Sequence, residues 1–181
     1  MRDVRCPSSA TRRAGRTHGF TLLELLVVLL IFGLLVSFAV LSVGGSASRQ
    51  MEQEARRLVE LAGLARDESL LTGQIRALGF SRNGYAFLEQ ILLDEERLTW
   101  VALDRAPLKP RSIERLGLRL HLRQEGRVVP LDDRADQPQI LFNGAGEMTP
   151  FELEMRPEGG TGSIFRITGQ RDGRLLQETL R

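Results

Sequence analysis

Glu24 is a carboxylate at the start of a long apolar segment. From Leu25 to Leu41 the chain carries no charged residue, and the uncharged stretch continues to Ser48. A charge at the centre of a membrane helix costs on the order of 2.5–3.5 kcal/mol, and less near the helix end, where the side chain can reach the interface. A carboxylate in this position is therefore a candidate functional group that needs a cationic partner.

The remainder of the sequence contains no residue set typical of catalysis or metal binding. The only cysteine, Cys6, precedes the apolar segment, and His121 is predicted to lie on the polar face of a strand. Ser163 follows glycines but does not form a nucleophile elbow, and Asp132-Asp133 is expected to be solvated. We therefore predict that the chain is not an enzyme and holds no metal or cofactor.

The basic character of the chain is concentrated before the apolar segment. Residues 1–19 contain five arginines and one acid, Asp3. Their removal would lower Lys+Arg from 25 to 20 and Asp+Glu from 23 to 22, so the net charge would change from +2 to −2. Net charge consequently gives no support to nucleic-acid binding by the remaining chain.

The apolar segment is long enough to cross a bilayer. Residues 25–48 would extend about 36 Å as a helix, whereas a bilayer core is about 30 Å thick. The preceding arginines predict that the N-terminus is cytoplasmic and that the following chain is outside. Three interpretations fit this pattern: a secretory signal peptide cleaved near Ala47, a simple single-pass anchor, and a segment cut on its N-terminal side.

The third interpretation accounts for Glu24 as well. The string Gly19-Phe20-Thr21-Leu22-Leu23-Glu24, after a basic leader and before an apolar helix, resembles the type III signal of type IV pilins and type II secretion pseudopilins. The resemblance implies that a membrane aspartyl prepilin peptidase cleaves after Gly19 and that Phe20 becomes an N-methylated first residue. It also implies that Glu24 pairs with the α-amino group of Phe20 in a neighbouring subunit of a fibre.

A helix is predicted to follow the apolar segment. Met51, Ala55, Leu58, Ala62, Ala65 and Ser69 recur at helical spacing and form a stripe of mostly small apolar residues. The intervening charged residues, Glu54 among them, are interpreted as a solvated face. Thr72-Gly73 is predicted to end the helix, with Gly73 as its left-handed cap.

Beyond Gly73 the period changes to two, which predicts about eight short, mostly antiparallel strands. The clearest is Leu116–Leu122, in which leucines alternate with polar residues, and Asn83-Gly84 is typical of a hairpin turn. Two stretches, 104–115 and 130–138, are predicted to be loops. The expected fold class is α+β: a long N-terminal helix packed on antiparallel sheet.

The expected organisation has three parts: a cleaved basic leader over 1–19, a transmembrane and assembly helix over 20–45, and a periplasmic head over 46–181. The head comprises a helix over 46–72 and β-sheet over 74–181. Within the pilin superfamily the head resembles the GspH/FimT group. The residues behind this resemblance are Ala65-Arg66-Asp67-Glu68, Leu71-Thr72-Gly73-Gln74, Phe80 to Tyr85, Ile140-Leu141-Phe142-Asn143 and Gly146 to Phe151.

The resemblance implies a minor pseudopilin at the tip of a periplasmic pseudopilus that supports protein export. Its expected partners are other minor and major pseudopilins, the prepilin peptidase, an inner-membrane assembly platform and a secretion ATPase. The alternative is a FimT/FimU-like minor pilin of a type IV pilus or DNA-uptake system, with a candidate DNA patch formed by Arg166, Arg171, Arg174 and Arg181. An anchored envelope enzyme is a third hypothesis, disfavoured because no candidate site is found.

Overall fold

The computed structural model describes residues 22–93 and 97–180, except for the side chains of residues 36–47. Within these residues the chain forms one α-helix, ten strands and a short 3₁₀ turn over Glu114–Leu116. The helix and strands are α1 (Leu22–Thr72), β1 (Arg76–Ser81), β2 (Gly84–Leu93), β3 (Arg97–Ala102), β4 (Arg111–Ser112), β5 (Leu118–Gln124), β6 (Arg127–Val129), β7 (Ile140–Phe142), β8 (Phe151–Pro157), β9 (Ile164–Gly169) and β10 (Leu175–Leu180).

The C-terminal end of α1 has the predicted glycine cap. Gly73 adopts a φ of +67° and its amide donates to the carbonyl oxygen of Ser69 at 2.9 Å. The buried Ser69 hydroxyl donates to the carbonyl oxygen of Phe142 at 2.9 Å, which fastens the last turn of α1 to β7. The left-handed cap therefore ends α1 shortly before β1 begins.

The main hydrophobic core lies between α1 and two antiparallel sheets. The predicted helical stripe is confirmed, since all six of its residues are buried. Leu78, Phe80, Tyr85 and Phe87 contribute from one sheet. The other sheet contributes Leu120, Leu122, Leu153, Met155, Phe165 and Ile167.

The strands divide into sheet A and sheet B. Sheet A has the order β3-β2-β1-β7, with the short β4 also paired to β2. Sheet B has the order β10-β9-β8-β5-β6. The α+β class is confirmed, and the described residues contain ten strands where about eight were expected. The predicted alternation in β5 is also confirmed, because Leu118, Leu120 and Leu122 are buried.

Two local predictions were wrong. The stretch 104–115, expected to be a loop, contains β4 and enters the 3₁₀ turn. Leu116, expected to begin a strand, is the last residue of that turn, and Gly117, with φ of +59°, separates it from β5. Two-residue strands and single 3₁₀ turns are too short to leave a periodic pattern in the sequence.

The β1–β2 hairpin turn is shifted by one residue from its predicted position. The turn residues are Arg82 and Asn83, and Gly84 begins β2 opposite Ser81. A Cβ atom on Gly84 would lie 2.1 Å from the carbonyl oxygen of Arg111. Glycine is therefore required here because β4 approaches the backbone of β2, and not for the turn itself.

The chain divides into two compact units between Leu41 and Ser42, and the second unit contains both sheets and the helical stripe. Within the described residues, no helix has an apolar stretch of the length and hydropathy needed to span a bilayer.

Candidate functional site

The predicted N-terminal site is described only in part. Gly19 and Phe20 lie outside the described residues. Glu24 lies in the first turn of α1 with its side chain exposed. A carboxylate is stabilised at this end of a helix by the backbone dipole.

The helix surface after Glu24 is apolar and exposed. Every residue from Leu22 to Leu35 is exposed, and all except Glu24 and Gly33 are large hydrophobic residues. A surface of this kind on a single helix favours burial in lipid or against other apolar helices. The segment thus offers an apolar surface suited to lateral packing, with one carboxylate in its first turn.

A second carboxylate, Glu54, is buried inside the head, and the sequence interpretation of it as solvated was wrong. Glu54 is only 3% exposed. Its carboxylate accepts hydrogen bonds from the Arg111 guanidinium at 2.5 and 2.7 Å and from the Tyr85 hydroxyl at 2.8 Å. These three residues, which we name the Glu54 triad, connect α1, β2 and β4.

Electrostatics fix the charge state of the two partners of Glu54. Burial and the adjacent Glu54 carboxylate raise the pKa of the Tyr85 hydroxyl far above its ordinary value. The hydrogen bond to Glu54 raises the pKa of Arg111. Near neutral pH the Tyr85 hydroxyl therefore keeps its proton and Arg111 keeps its charge, so both remain hydrogen-bond donors to Glu54.

The triad also fastens the connection between β3 and β4 to the helix. Leu103 and Leu108 of this connection, and Ile113 directly after β4, are buried in the core. Arg105 adds a second attachment, with its guanidinium 2.6 Å from the Glu68 carboxylate. This connection is consequently a packed part of the head.

The arginines proposed for a DNA patch are largely neutralised within the described residues. Arg166 donates to Glu154 at 2.7 Å, and Arg174 lies 3.2 Å from Asp172. Arg171 carries an exposed side chain, and Arg181 lies outside the described residues. Hydrogen bonds from Arg166 and Arg156 hold the pKa of Glu154 below its usual range.

The remaining sequence candidates show no catalytic geometry. His121 is exposed on β5, as predicted. Asp133 lies 3.4 Å from the Arg82 guanidinium. Within the part of the chain that the structure describes, no three acidic, histidine or cysteine side chains converge to hold a metal ion.

Sequence reasoning missed the Glu54 triad although the helical pattern contained a signal for it. Glu54 follows Met51 by three residues and precedes Leu58 by four, so it belongs to the buried stripe by position. A charged residue at a stripe position indicates a buried partner, because an unpaired buried carboxylate is strongly disfavoured. The sequence could not identify that partner, because Tyr85 and Arg111 lie 31 and 57 residues away from Glu54 along the chain.

Comparisons with known proteins cover both parts of the chain. The family model for type II transport protein GspH matches residues 54–173, and that for the prokaryotic N-terminal methylation motif matches residues 15–40. The type II secretion system protein H of Pseudomonas aeruginosa is 35% identical over 84% of this chain and 90% of its own length. The Aeromonas hydrophila protein of the same name is 29% identical over 79% of this chain and 82% of its own length.

Solved structures show the same fold. The minor pseudopilin EpsH from the type 2 secretion system of Vibrio cholerae has a TM-score of 0.56 and 22% identity, covering 70% of this chain and 94% of its own. The solution structure of Escherichia coli GspH has a TM-score of 0.54 and 23% identity, covering 73% of this chain and 89% of its own. With the family match spanning 120 of 181 residues, the chain belongs to the GspH family of type II transport proteins.

Proposed function

We propose that this protein is a minor pseudopilin of a type II secretion system, a structural subunit at the pseudopilus tip that supports protein export across the outer membrane. The observation that carries the proposal is that one chain matches both the N-terminal methylation motif, at 15–40, and the GspH family, at 54–173. A methylation motif alone would fit any pilin-like subunit. The GspH match assigns the head to the secretion group.

The proposed maturation begins at the basic leader. A prepilin peptidase cuts after Gly19, and the new N-terminal Phe20 is methylated on its amine. The amine of one subunit then pairs with Glu24 of a neighbour, which compensates both charges in a fibre interior of low dielectric constant and sets the axial register of the helices. The exposure of Glu24 in the first turn of α1 is compatible with such an intermolecular contact.

The proposed location is the bacterial inner membrane, with the N-terminus in the cytoplasm and the head in the periplasm. The exposed apolar surface from Leu22 to Leu35 supports a lipid or helix environment for this segment. The proposed partners are other minor and major pseudopilins, the prepilin peptidase, the assembly platform and the secretion ATPase.

The proposed mechanism is mechanical. The helix supplies lateral packing, and the head supplies a rigid surface for other subunits. The Glu54 triad contributes to that rigidity, because a buried carboxylate with three hydrogen bonds restricts the relative positions of α1, β2 and β4.

Mass spectrometry of the mature N-terminus in the native bacterium tests the first step. We expect a chain that begins at a methylated Phe20, and a precursor nineteen residues longer when Gly19 is replaced by a bulky residue. A mature N-terminus near residue 48 would indicate a secretory signal peptide and contradict the proposal.

The Glu24→Ala variant tests the assembly step. We expect normal membrane insertion and normal cleavage but a loss of incorporation into the pseudopilus and of protein export. Glu52→Ala is the matched control, because Glu52 is an exposed acid on the same helix that pairs only locally with Arg56. If Glu24→Ala assembles and exports as the control does, the pairing mechanism is wrong for this subunit.

A further inference from the structure

The first half of β5 lacks a neighbouring strand on one side. β5 pairs with β8 from Leu118 to Arg123, whereas β6 pairs only with Leu122, Arg123 and Gln124. Among the described residues no other strand adjoins residues 118–121, which we name the β5 edge. An open strand edge of this kind is where an extended segment of another chain can add to a sheet.

The backbone groups that face this opening can be assigned from the ladder. The Glu158 amide donates to the carbonyl oxygen of Gly117 at 2.8 Å, so Gly117 directs its backbone groups toward β8. These groups alternate in direction along an antiparallel strand, so Leu118 and Leu120 direct theirs to the open side. Within the described part of the chain they have no loop partner there. Two donors and two acceptors are thus available to an added strand.

The segment after β6 is held away from the β5 edge by sheet A. Continuation of the β5–β6 register would place Leu131 opposite Leu120. Instead, the Arg82 guanidinium donates to the carbonyl oxygen of Leu131 at 3.1 Å. The Arg82 amide donates to the carbonyl oxygen of Asp132 at 2.9 Å. The opening is therefore built into the fold, because the turn between β1 and β2 binds the segment that would otherwise close it.

A cleft of about 420 Å³ lies along the β5 edge. All four residues of the edge line it, together with Arg82, Asn83, Glu114 and Glu158. Successive residues of a strand point to opposite faces, so a cleft that all four line follows the edge of the strand and not one face of the sheet. Its volume is within the range of about 300–1,000 Å³ that is typical of binding clefts.

The charges around the cleft indicate which side chain suits it. The Arg119 guanidinium lies 2.8 Å from the Glu158 carboxylate, and that of Arg82 lies 3.4 Å from Asp133. Glu114 is exposed, and its carboxylate forms no ion pair within the part of the chain that the structure describes. The uncompensated carboxylate favours an added strand that carries a lysine or arginine at this point.

The size of the cleft limits the kind of partner. Eight residues line it, whereas a stable free complex uses about 20–30 residues from each partner. Four backbone hydrogen bonds alone would give a dissociation constant on the order of 1 mM. A strand can occupy the β5 edge persistently only if other contacts keep its chain close by, as they do between subunits of one fibre.

We propose that the β5 edge receives an extended segment of another prepilin-type subunit, which adds to sheet B as a strand and places a basic side chain beside Glu114. The proposal rests on the proposed function, because a pseudopilus supplies neighbours that are held together by further contacts. The added strand exchanges backbone hydrogen bonds with Leu118 and Leu120, and the cleft accommodates its side chains.

Site-specific photocrosslinking of the full chain in its secretion-competent host tests the proposal. Cys6 is the only cysteine and precedes the proposed cleavage site, so a processed Asn83→Cys variant carries one thiol, in the cleft, for a benzophenone maleimide. We expect an adduct with a different prepilin-type subunit, linked within a segment that contains lysine or arginine. Val128→Cys is the matched control, because Val128 is 65% exposed on β6 of the same sheet but does not line the cleft.

A charge reversal tests the role of Glu114. Glu114→Lys should reduce the adduct formed by the labelled Asn83→Cys protein at least fivefold. Glu178→Lys makes the same change of charge at an exposed position on β10 and should leave the adduct unchanged. Equal adduct yields with the two lysine variants would overturn the proposal. So would an adduct with a second copy of this chain, an adduct with an exported protein, no adduct, or equal adducts at Asn83→Cys and Val128→Cys.

A variant that fills the cleft links the contact to export. Asn83→Trp places an indole in the cleft, whereas Asn83→Ser leaves it open. Export should fall at least tenfold with Asn83→Trp relative to Asn83→Ser, at equal thermal unfolding temperatures; if Asn83→Trp unfolds earlier, the crosslinking result decides. The two proposals fail separately. If the N-terminus is unprocessed and export does not require the protein, the proposed function fails; if processing is normal, export requires the protein and both Asn83 variants export equally, only the β5 edge contact fails.

Discussion

Replacement of Glu54 by alanine should destabilise the head far more than replacement of an exposed acid on the same helix. The substitution leaves the Tyr85 hydroxyl, in a residue that is 1% exposed, without its acceptor. An unsatisfied buried hydroxyl costs about 1–3 kcal/mol. The Arg111 side chain is 38% exposed and can rehydrate, so the full 3–5 kcal/mol typical of breaking a buried ion pair is not expected.

We therefore expect Glu54→Ala to lower the free energy of unfolding by about 2–3 kcal/mol. With an m-value of about 2 kcal/mol/M for urea, the unfolding midpoint should fall by about 1–1.5 M. The measurement is urea denaturation of the full chain in detergent, followed by the fluorescence of Trp100, its only tryptophan. Glu52→Ala should change the free energy by no more than about 0.5 kcal/mol, because it breaks one exposed i,i+4 pair with Arg56.

A double-mutant cycle separates the hydroxyl from the ion pair. Tyr85→Phe alone should cost about 1 kcal/mol, since it removes one hydrogen bond and leaves Arg111 paired with Glu54. The combination of Glu54→Ala with Tyr85→Phe should cost less than the sum of the single changes, because no buried hydroxyl is then left unsatisfied. Additive costs, or a Glu54→Ala effect equal to that of Glu52→Ala, would refute the reasoning.

Two further predictions concern backbone approach and acid stability. Gly84→Ala should lower the urea unfolding midpoint strongly, because the new Cβ would lie 2.1 Å from the Arg111 carbonyl oxygen. Gly159→Ala is the control and should leave the midpoint nearly unchanged, because nothing lies within 4 Å of its new Cβ. Arg166 lowers the pKa of Glu154 in the folded protein, so this carboxylate stabilises the fold at neutral pH and the contribution is lost as pH falls through its folded pKa. The stability difference between wild type and Glu154→Gln should therefore shrink on acidification in a pH series of unfolding curves; a constant or growing difference would contradict the assignment.

Elements whose signal is local could be predicted from the sequence. The sequence predicted the helical stripe from Met51 to Ser69 and the leucine alternation in β5. Both predictions were possible because the spacing of apolar residues indicates which face of a helix or strand is buried. The cap at Gly73 was readable because a left-handed residue after a helix favours glycine. In each of these cases neighbours in sequence carry the whole pattern.

Features created by distant segments were not predictable in the same way. Glu54 was interpreted as solvated because its charge is visible in the sequence whereas its partners, Tyr85 and Arg111, are supplied by strands far along the chain. β4 has only two residues and exists because its backbone pairs with Gly84 and Tyr85. Such short elements depend on tertiary contacts and leave no periodic record.

The N-terminal signal differs from the Glu54 triad in the same respect. Gly19, Phe20 and Glu24 stand within six residues, so the sequence alone is enough to predict their processing and pairing. The partners of Glu54 lie 31 and 57 residues away, so the contact can be assigned only when the fold is known. For a subunit whose proposed work is contact with other subunits, the sequence thus indicates which kind of assembly it enters, whereas the contacts that hold the head together require the structure.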